Sequence, residues 1–142
     1  MAVVNGTPKE KQNRLVHYLL KNEHRNIVQV APMTTEGAKM AELMYRTLSS
    51  RDGISLLMIR LLTGRSHQAR VQLATIGTPI MSDQKYGKEE KIRSNLALWA
   101  VELKFTHPTL KEKMTFRVYP PEDEYPWNQF DMDIYLKINI NY

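Results

Sequence analysis

Cysteine is absent from the 142 residues, which excludes disulfides, thiolate metal ligands and a cysteine nucleophile. The four histidines, His17, His24, His67 and His107, are far apart, and none forms a helical metal pair. No metal site is expected. Apolar runs are short, and none approaches the roughly 20 residues that a membrane helix needs. The first six residues hold no basic region ahead of an apolar stretch and no cleavage pattern, so they do not read as a signal peptide. A reduced, cytoplasmic, soluble domain is the expectation.

The composition that remains is ordinary for a globular chain, 42% hydrophobic and 25% charged. Its length suits one domain with a single core. Twenty Lys plus Arg against fifteen Asp plus Glu leave a net charge of +5, which favours a polyanionic partner because each neutralised phosphate releases a counterion.

Residues 7–14 are polar and read as a solvated loop. Residues 15–20 and 27–30 are apolar runs separated by a polar stretch, the pattern of a hairpin. Ala41, Leu43, Tyr45 and Thr47 alternate with Met40, Glu42, Met44 and Arg46, which favours a strand over a short helix. With residues 54–62, after the turn-like residues 49–53, this strand forms a second predicted hairpin. Ala69, Leu73 and Ile76 recur at spacings of four and three, predicting a helix over residues 66–76. Ser66 fits its N-cap, Gly77 its left-handed end, and Pro79 the stop beyond. Residues 96–105 and 114–119 read as strands joined around His107 and Pro108. Ile134, Leu136, Ile138 and Ile140 alternate with polar partners in a C-terminal tail, residues 131–142, that reads as an edge strand. The fold class is therefore α+β, a mainly antiparallel mixed sheet with a few short helices.

Chemistry concentrates in Thr63-Gly64-Arg65-Ser66-His67-Gln68-Ala69-Arg70, at the junction of a strand and a helix. Gly64 permits a tight turn, and Arg65 then presents a charged fork to a carboxylate or phosphate. The first helical turn favours an anion, with His67 and Gln68 as further donors and Arg70 one turn on. An anion-recognition corner is one reading. Surface cations beside a capped, satisfied histidine are the other. The loop bearing Lys85, Lys88, Lys91 and Arg93 lies nearby in sequence and reads either as an RNA backbone contact or as a solvated charged loop diluted by Glu89 and Glu90. Trp99, Trp127 and Phe130 read as core residues, His107 as a turn residue, Tyr45 as structural, and Met40, Met44 and Met58 as core filler.

The run from Thr63 to Arg70, followed by Leu73, Ile76-Gly77, Pro79-Ile80, Asp83 and Tyr86-Gly87, resembles the signature of RluA-type RNA pseudouridine synthases. Phe105-Thr106-His107-Pro108 and Pro120-Pro121-Glu122-Asp123 resemble later motifs of that family. The resemblance covers about residues 2 to 130, which it identifies as the C-terminal part of a pseudouridine synthase-like catalytic domain, incomplete at the N-terminus. It implies an isomerase that detaches uracil from its ribose, rotates it and rejoins it through carbon, on ribosomal or transfer RNA. The target nucleotide is flipped from its stack, and no cofactor or metal takes part. Arg65 takes the position of the arginine that pairs with a nucleophilic aspartate, a bidentate role lysine fills poorly. His67, Gln68, Arg70, Lys85 and Lys88 are the expected RNA contacts. Thr63, Gly64, Gly77, Pro79, Asp83, Tyr86 and Gly87 are the expected framework of the motif.

The family's nucleophile lies in a His-Arg-Leu-Asp motif, and that motif does not occur in this sequence. None of the aspartates, Asp52, Asp83, Asp123, Asp131 and Asp133, matches it. The family's tyrosine falls immediately before Met1. The expectation is a chain inactive by itself, with sheet edges and apolar surface that promote self-association. The alternative is a non-catalytic RNA-binding module or a decayed fragment.

Overall fold

A computed structural model describes residues 1–88 and 94–137. Both expected hairpins form, but with longer strands: residues 12–14, expected as part of a solvated loop, open the second strand by pairing with residues 44–46. Strands β1 (Ala2–Asn5), β2 (Gln12–Asn22), β3 (Ile27–Val30), β4 (Lys39–Arg51) and β5 (Ile54–Leu61) build one sheet in the order β1-β5-β4-β2-β3. Every pair in it is antiparallel. The β4–β5 turn is only Asp52-Gly53, both with positive φ (49° and 78°), as a tight two-residue hairpin requires. Residues 49–51 continue the strand instead of turning. A register shift between Thr47 and Ser49 leaves Leu48 as a bulge.

In β4, Ala41, Leu43, Tyr45 and Thr47 are buried, and the residues between them are half-buried. The core lies on the buried face and centres on Leu43, Leu56, Leu57, Leu73 and Ile80. Met58 is in it, but Met40 is 41% exposed at the start of β4, so the core-filler reading fails for Met40. β1 is buried between β5 and two flanking segments. Val3 N–H donates to Ala97 O (3.0 Å), Met81 N–H donates to Val3 O (2.9 Å), and the Met1 amine donates to Trp99 O (2.7 Å). Burial lowers that amine's pKa to about 5.

The 96–105 strand is shorter than expected. Only β6 (Glu102–Thr106) forms, paired with β7 (Lys113–Arg117) in a separate ribbon. Residues 97–99 instead run beside β1, and a tight Leu98 N–H to Leu96 O bond (2.8 Å) breaks the extended path. His107 shapes the ribbon's turn, its Nδ1 accepting from Thr109 and Leu110 N–H at 3.2 and 3.0 Å. Trp99 is half-buried against the core and donates Nε1–H to Val118 O, while Trp127 and Phe130 are buried.

The tail is not an edge strand over the described residues. Helix α2 (Met132–Lys137) forms there because Met132 and Tyr135, three apart, both pack on the core. Asp131 Oδ1 accepts from Ile134 N–H at 3.4 Å, a capping contact, and Asp133 sits favourably in the first turn. Ile138 and Ile140 lie outside the described residues.

Candidate functional site

Helix α1 (Gln68–Thr75) begins one residue later than the Ser66 cap predicts. His67 occupies the cap position in a left-handed conformation (φ 50°, ψ 20°), and no side chain caps the helix. The hydrogen bonds of Gln68 explain the shift. Its side chain is buried, with Oε1 accepting from the Thr63 hydroxyl (2.8 Å) and from Arg65 N–H (2.9 Å). Its Nε2 donates to Glu42 O at 2.9 Å, while Glu42 N–H donates to Thr63 Oγ1 at 2.8 Å. Gln68 thus fastens the Arg65 loop to β4. One turn on, Gln72 is fully buried and donates to Leu15 O and Ala41 O, both at 3.2 Å, which docks α1 on β2 and β4.

Arg65 is exposed, and its Nε donates to Met40 O at 2.9 Å. No carboxylate pairs with it among the described residues. Gly64 needs no left-handed backbone; the positive φ falls on His67 and, at the far end of α1, on Gly77 (φ 85°).

Arg70 is not a free cation. Its Nε and Nη2 reach Asp83 Oδ2 and Oδ1, each at 2.8 Å, in a bidentate pair whose carboxylate is fully buried. Asp83 Oδ1 also accepts from the N–H groups of Lys85 (2.9 Å) and Tyr86 (3.0 Å), closing the loop. Burial alone pushes the Asp83 carboxyl up, but Arg70 and the two backbone donors outweigh it and hold the pKa below its ordinary value. The same bond raises the pKa of Arg70. Gly87 is required by close approach, since a Cβ there would meet Asp83 O at 2.3 Å.

The 83–87 loop also covers the outer edge of the sheet. Tyr86 Oη accepts Val28 N–H at 2.8 Å, and Lys85 Nζ donates to Asn26 O at 2.7 Å. Tyr86 packs under Arg70, whose guanidinium carbon lies 5.1 Å from the ring centroid. Its hydroxyl lies 2.7 Å from His67 Nδ1. The His67 pKa is lowered, first by burial and then by Arg70, Lys85 and Lys21, with Asp83 opposing. Lys88 is exposed; Lys91 and Arg93 lie outside the described residues. Pro79 carries the carbonyl that accepts Asn5 N–H at 2.9 Å, tying the end of the motif to β1. Arg65, His67, Lys85 and the Arg70–Asp83 pair therefore surround the start of α1, while Gln68 works inside the protein.

Sequence reasoning missed Glu42, Val28 and Asn26, which take part through long-range contacts. Glu42 supplies backbone partners to Thr63 and Gln68, and its carboxylate pairs with Arg14 on β2. No group of three or more His, Asp or Glu side chains suited to a metal occurs among the described residues.

The family model described as RNA pseudouridylate synthase matches residues 1–75, which include the strands of the main sheet, the Arg65 loop and α1. The chain belongs to the RNA pseudouridylate synthase family. Among its relatives, the protein named uncharacterized RNA pseudouridine synthase YlyB, of Bacillus subtilis, is 33% identical over 132 residues. That match covers 85% of this chain and 43% of the relative. Ribosomal large subunit pseudouridine synthase D of Zymomonas mobilis is 30% identical over 131 residues, covering 86% of this chain and 41% of the relative. The chain thus spans less than half the length of these pseudouridine synthases. The solved structure of human RNA Pseudouridylate Synthase Domain Containing 1 shares the α+β fold, with a TM-score of 0.72 at 20% identity. It is matched over 96% of this chain and 62% of its own.

Proposed function

We propose that this chain serves RNA pseudouridylation, the isomerisation of uridine to pseudouridine, and supplies the Arg65 side of the uridine pocket. Family membership supports the reaction class. The exposed guanidinium of Arg65, with no carboxylate partner among the described residues, is the observation that carries the assignment. It is a bidentate donor held on a braced loop, suited to orient and keep ionised an aspartate nucleophile. Arg65 and Lys85, whose charge reaches His67, together with the exposed Lys88 also suit a phosphodiester chain, and the net charge of +5 supports that partner.

The aspartates of the sequence do not complete the pair. Asp83 is consumed by Arg70, Asp52 stands in the β4–β5 turn, and Asp123, Asp131 and Asp133 are exposed near the C-terminus. The 142-residue chain by itself therefore binds RNA without isomerising uridine. Incubating it with uridine-containing ribosomal and transfer RNA, then digesting the RNA and separating the nucleosides, is the test. No pseudouridine is expected, and its appearance in stoichiometric excess over the chain would overturn the claim of inactivity. The same absence favours a second reading, a binding module that keeps the basic corner without the chemistry. Supplying the uncovered part of a relative in trans separates the two: activity restored supports the enzyme reading, and RNA binding without activity supports the module.

A further inference from the structure

We propose that Tyr86 is a positioning residue that fixes His67 as a neutral imidazole with its proton on Nε2, a preset donor for an acceptor oxygen of RNA. The argument starts from hydrogen-bond capacity. Tyr86 Oη already accepts Val28 N–H at 2.8 Å, and His67 Nδ1 lies 2.7 Å from the same oxygen. The phenol has one hydrogen to give. If Nδ1 carried the proton, the oxygen would accept twice and the phenolic hydrogen would have no acceptor. If Nδ1 is bare, Tyr86 donates to it, every group is satisfied, and the imidazole proton sits on Nε2. Among the described residues no hydrogen bond is made to Nε2.

The placement is held from several sides. His67 keeps a left-handed backbone, which is unfavourable for a non-glycine residue and persists only where its surroundings enforce it. The ring meets Tyr86 edge-on, centroids 5.6 Å apart at 66°. Tyr86 is in turn fixed by Asp83 through its own N–H and by Arg70 over its face. The charged groups facing the imidazole are Arg70, Lys85 and Lys21, with Asp83 opposing, and the three cations disfavour a second ring proton. Two residues from Arg65, a neutral donor differs from a lysine in kind. It can bind a base carbonyl or phosphate oxygen without competing with the guanidinium for a carboxylate. This assignment rests on the RNA reading above only for the identity of the acceptor.

The test uses the 142-residue chain. Long-range proton–nitrogen NMR of His67 reports tautomer and titration, and a single-stranded oligouridylate reports binding. In the unmodified chain the Nε2–H form is expected to dominate at neutral pH, with titration below that of an ordinary histidine. Tyr86→Phe should mix the two tautomers and weaken oligouridylate binding about fivefold to tenfold, with His67→Ala weakening it similarly. His67→Ala should lower the thermal midpoint, since Tyr86 loses its acceptor, but keep a single cooperative unfolding transition above the temperature of the binding assay, which separates lost contact from lost folding. An Nδ1–H or charged His67 at neutral pH, or an unchanged tautomer in a folded Tyr86→Phe chain, would refute the positioning claim. Binding unchanged by His67→Ala would refute the donor role. Absence of all RNA binding would refute the RNA reading, and the tautomer measurement would still decide the role of Tyr86.

Discussion

Replacing Asp83 by Asn isolates the central ion pair of the motif with little change of shape. The asparagine keeps an oxygen for the Lys85 and Tyr86 N–H groups, but it cannot accept both Arg70 bonds as a charge. The carboxylate is fully buried and the arginine side chain is 18% exposed. Removing one partner from a buried pair costs about 3–5 kcal/mol, mostly because the other charge is stranded. The partial exposure of Arg70 puts the expectation at the lower end, ~3 kcal/mol. For a chain of this size that is a fall of roughly 10 °C in thermal midpoint. Urea denaturation of wild type, D83N, R70M and the double variant is the assay. The double variant should recover part of the loss, with a coupling of about 2 kcal/mol between the sites. The sign with pH follows from the depressed Asp83 pKa: the contribution is complete above the unfolded carboxyl pKa and is lost as pH falls through the folded value. A loss below about 0.5 kcal/mol for D83N, or strict additivity, would refute the reasoning, because ordinary surface pairs behave that way.

Gly87→Ala forces a Cβ against the Asp83 carbonyl, so a loss of ~1–3 kcal/mol is expected in the same denaturation assay. In the 142-residue chain the Met1 amine has a folded pKa of about 5 against the ordinary 8.0, so the unfolded state binds the proton more readily between those values. Stability should therefore rise from pH 5 to pH 8, by as much as about 4 kcal/mol, with His17 and His67 adding in the same direction at the acid end. Urea midpoints across that range, with the amine followed in chain labelled with nitrogen-15 at Met1, check it. The β6–β7 ribbon exposes Leu103, Phe105 and Phe116, with Val118 exposed just beyond it, and the two phenylalanine rings stack 5.9 Å apart. Phe105→Ser with Phe116→Ser should lower any concentration-dependent association seen by light scattering.

Local signals were enough for the hairpins and for the position of α1. Asp52-Gly53 specifies a tight turn by its own backbone preferences, and the alternation through Ala41 to Thr47 follows the buried face of β4. The tail misled for a physical reason: its isoleucines alternate, yet Met132 and Tyr135, three apart, bind the core and select a helix. The motif located the site, but its internal division of labour depends on partners far off in sequence. Arg70 and Asp83 are 13 residues apart, Gln68 and Glu42 are 26 apart, and Tyr86 and Val28 are 58 apart. Spacing alone therefore could not separate the buried Gln68 and the paired Arg70 from the exposed Arg65.

The affinity of the chain for a single-stranded oligouridylate, measured against salt with and without Arg65→Ala, tests the central claim most directly. Each phosphate neutralised in single-stranded RNA contributes about −0.7 to the slope of log affinity on log salt. The wild-type chain is predicted to bind with a steep negative slope, and Arg65→Ala to weaken binding and flatten that slope by about 0.7, with folding unchanged. Affinity that ignores salt, or an Arg65→Ala chain that binds as wild type does, would contradict the account.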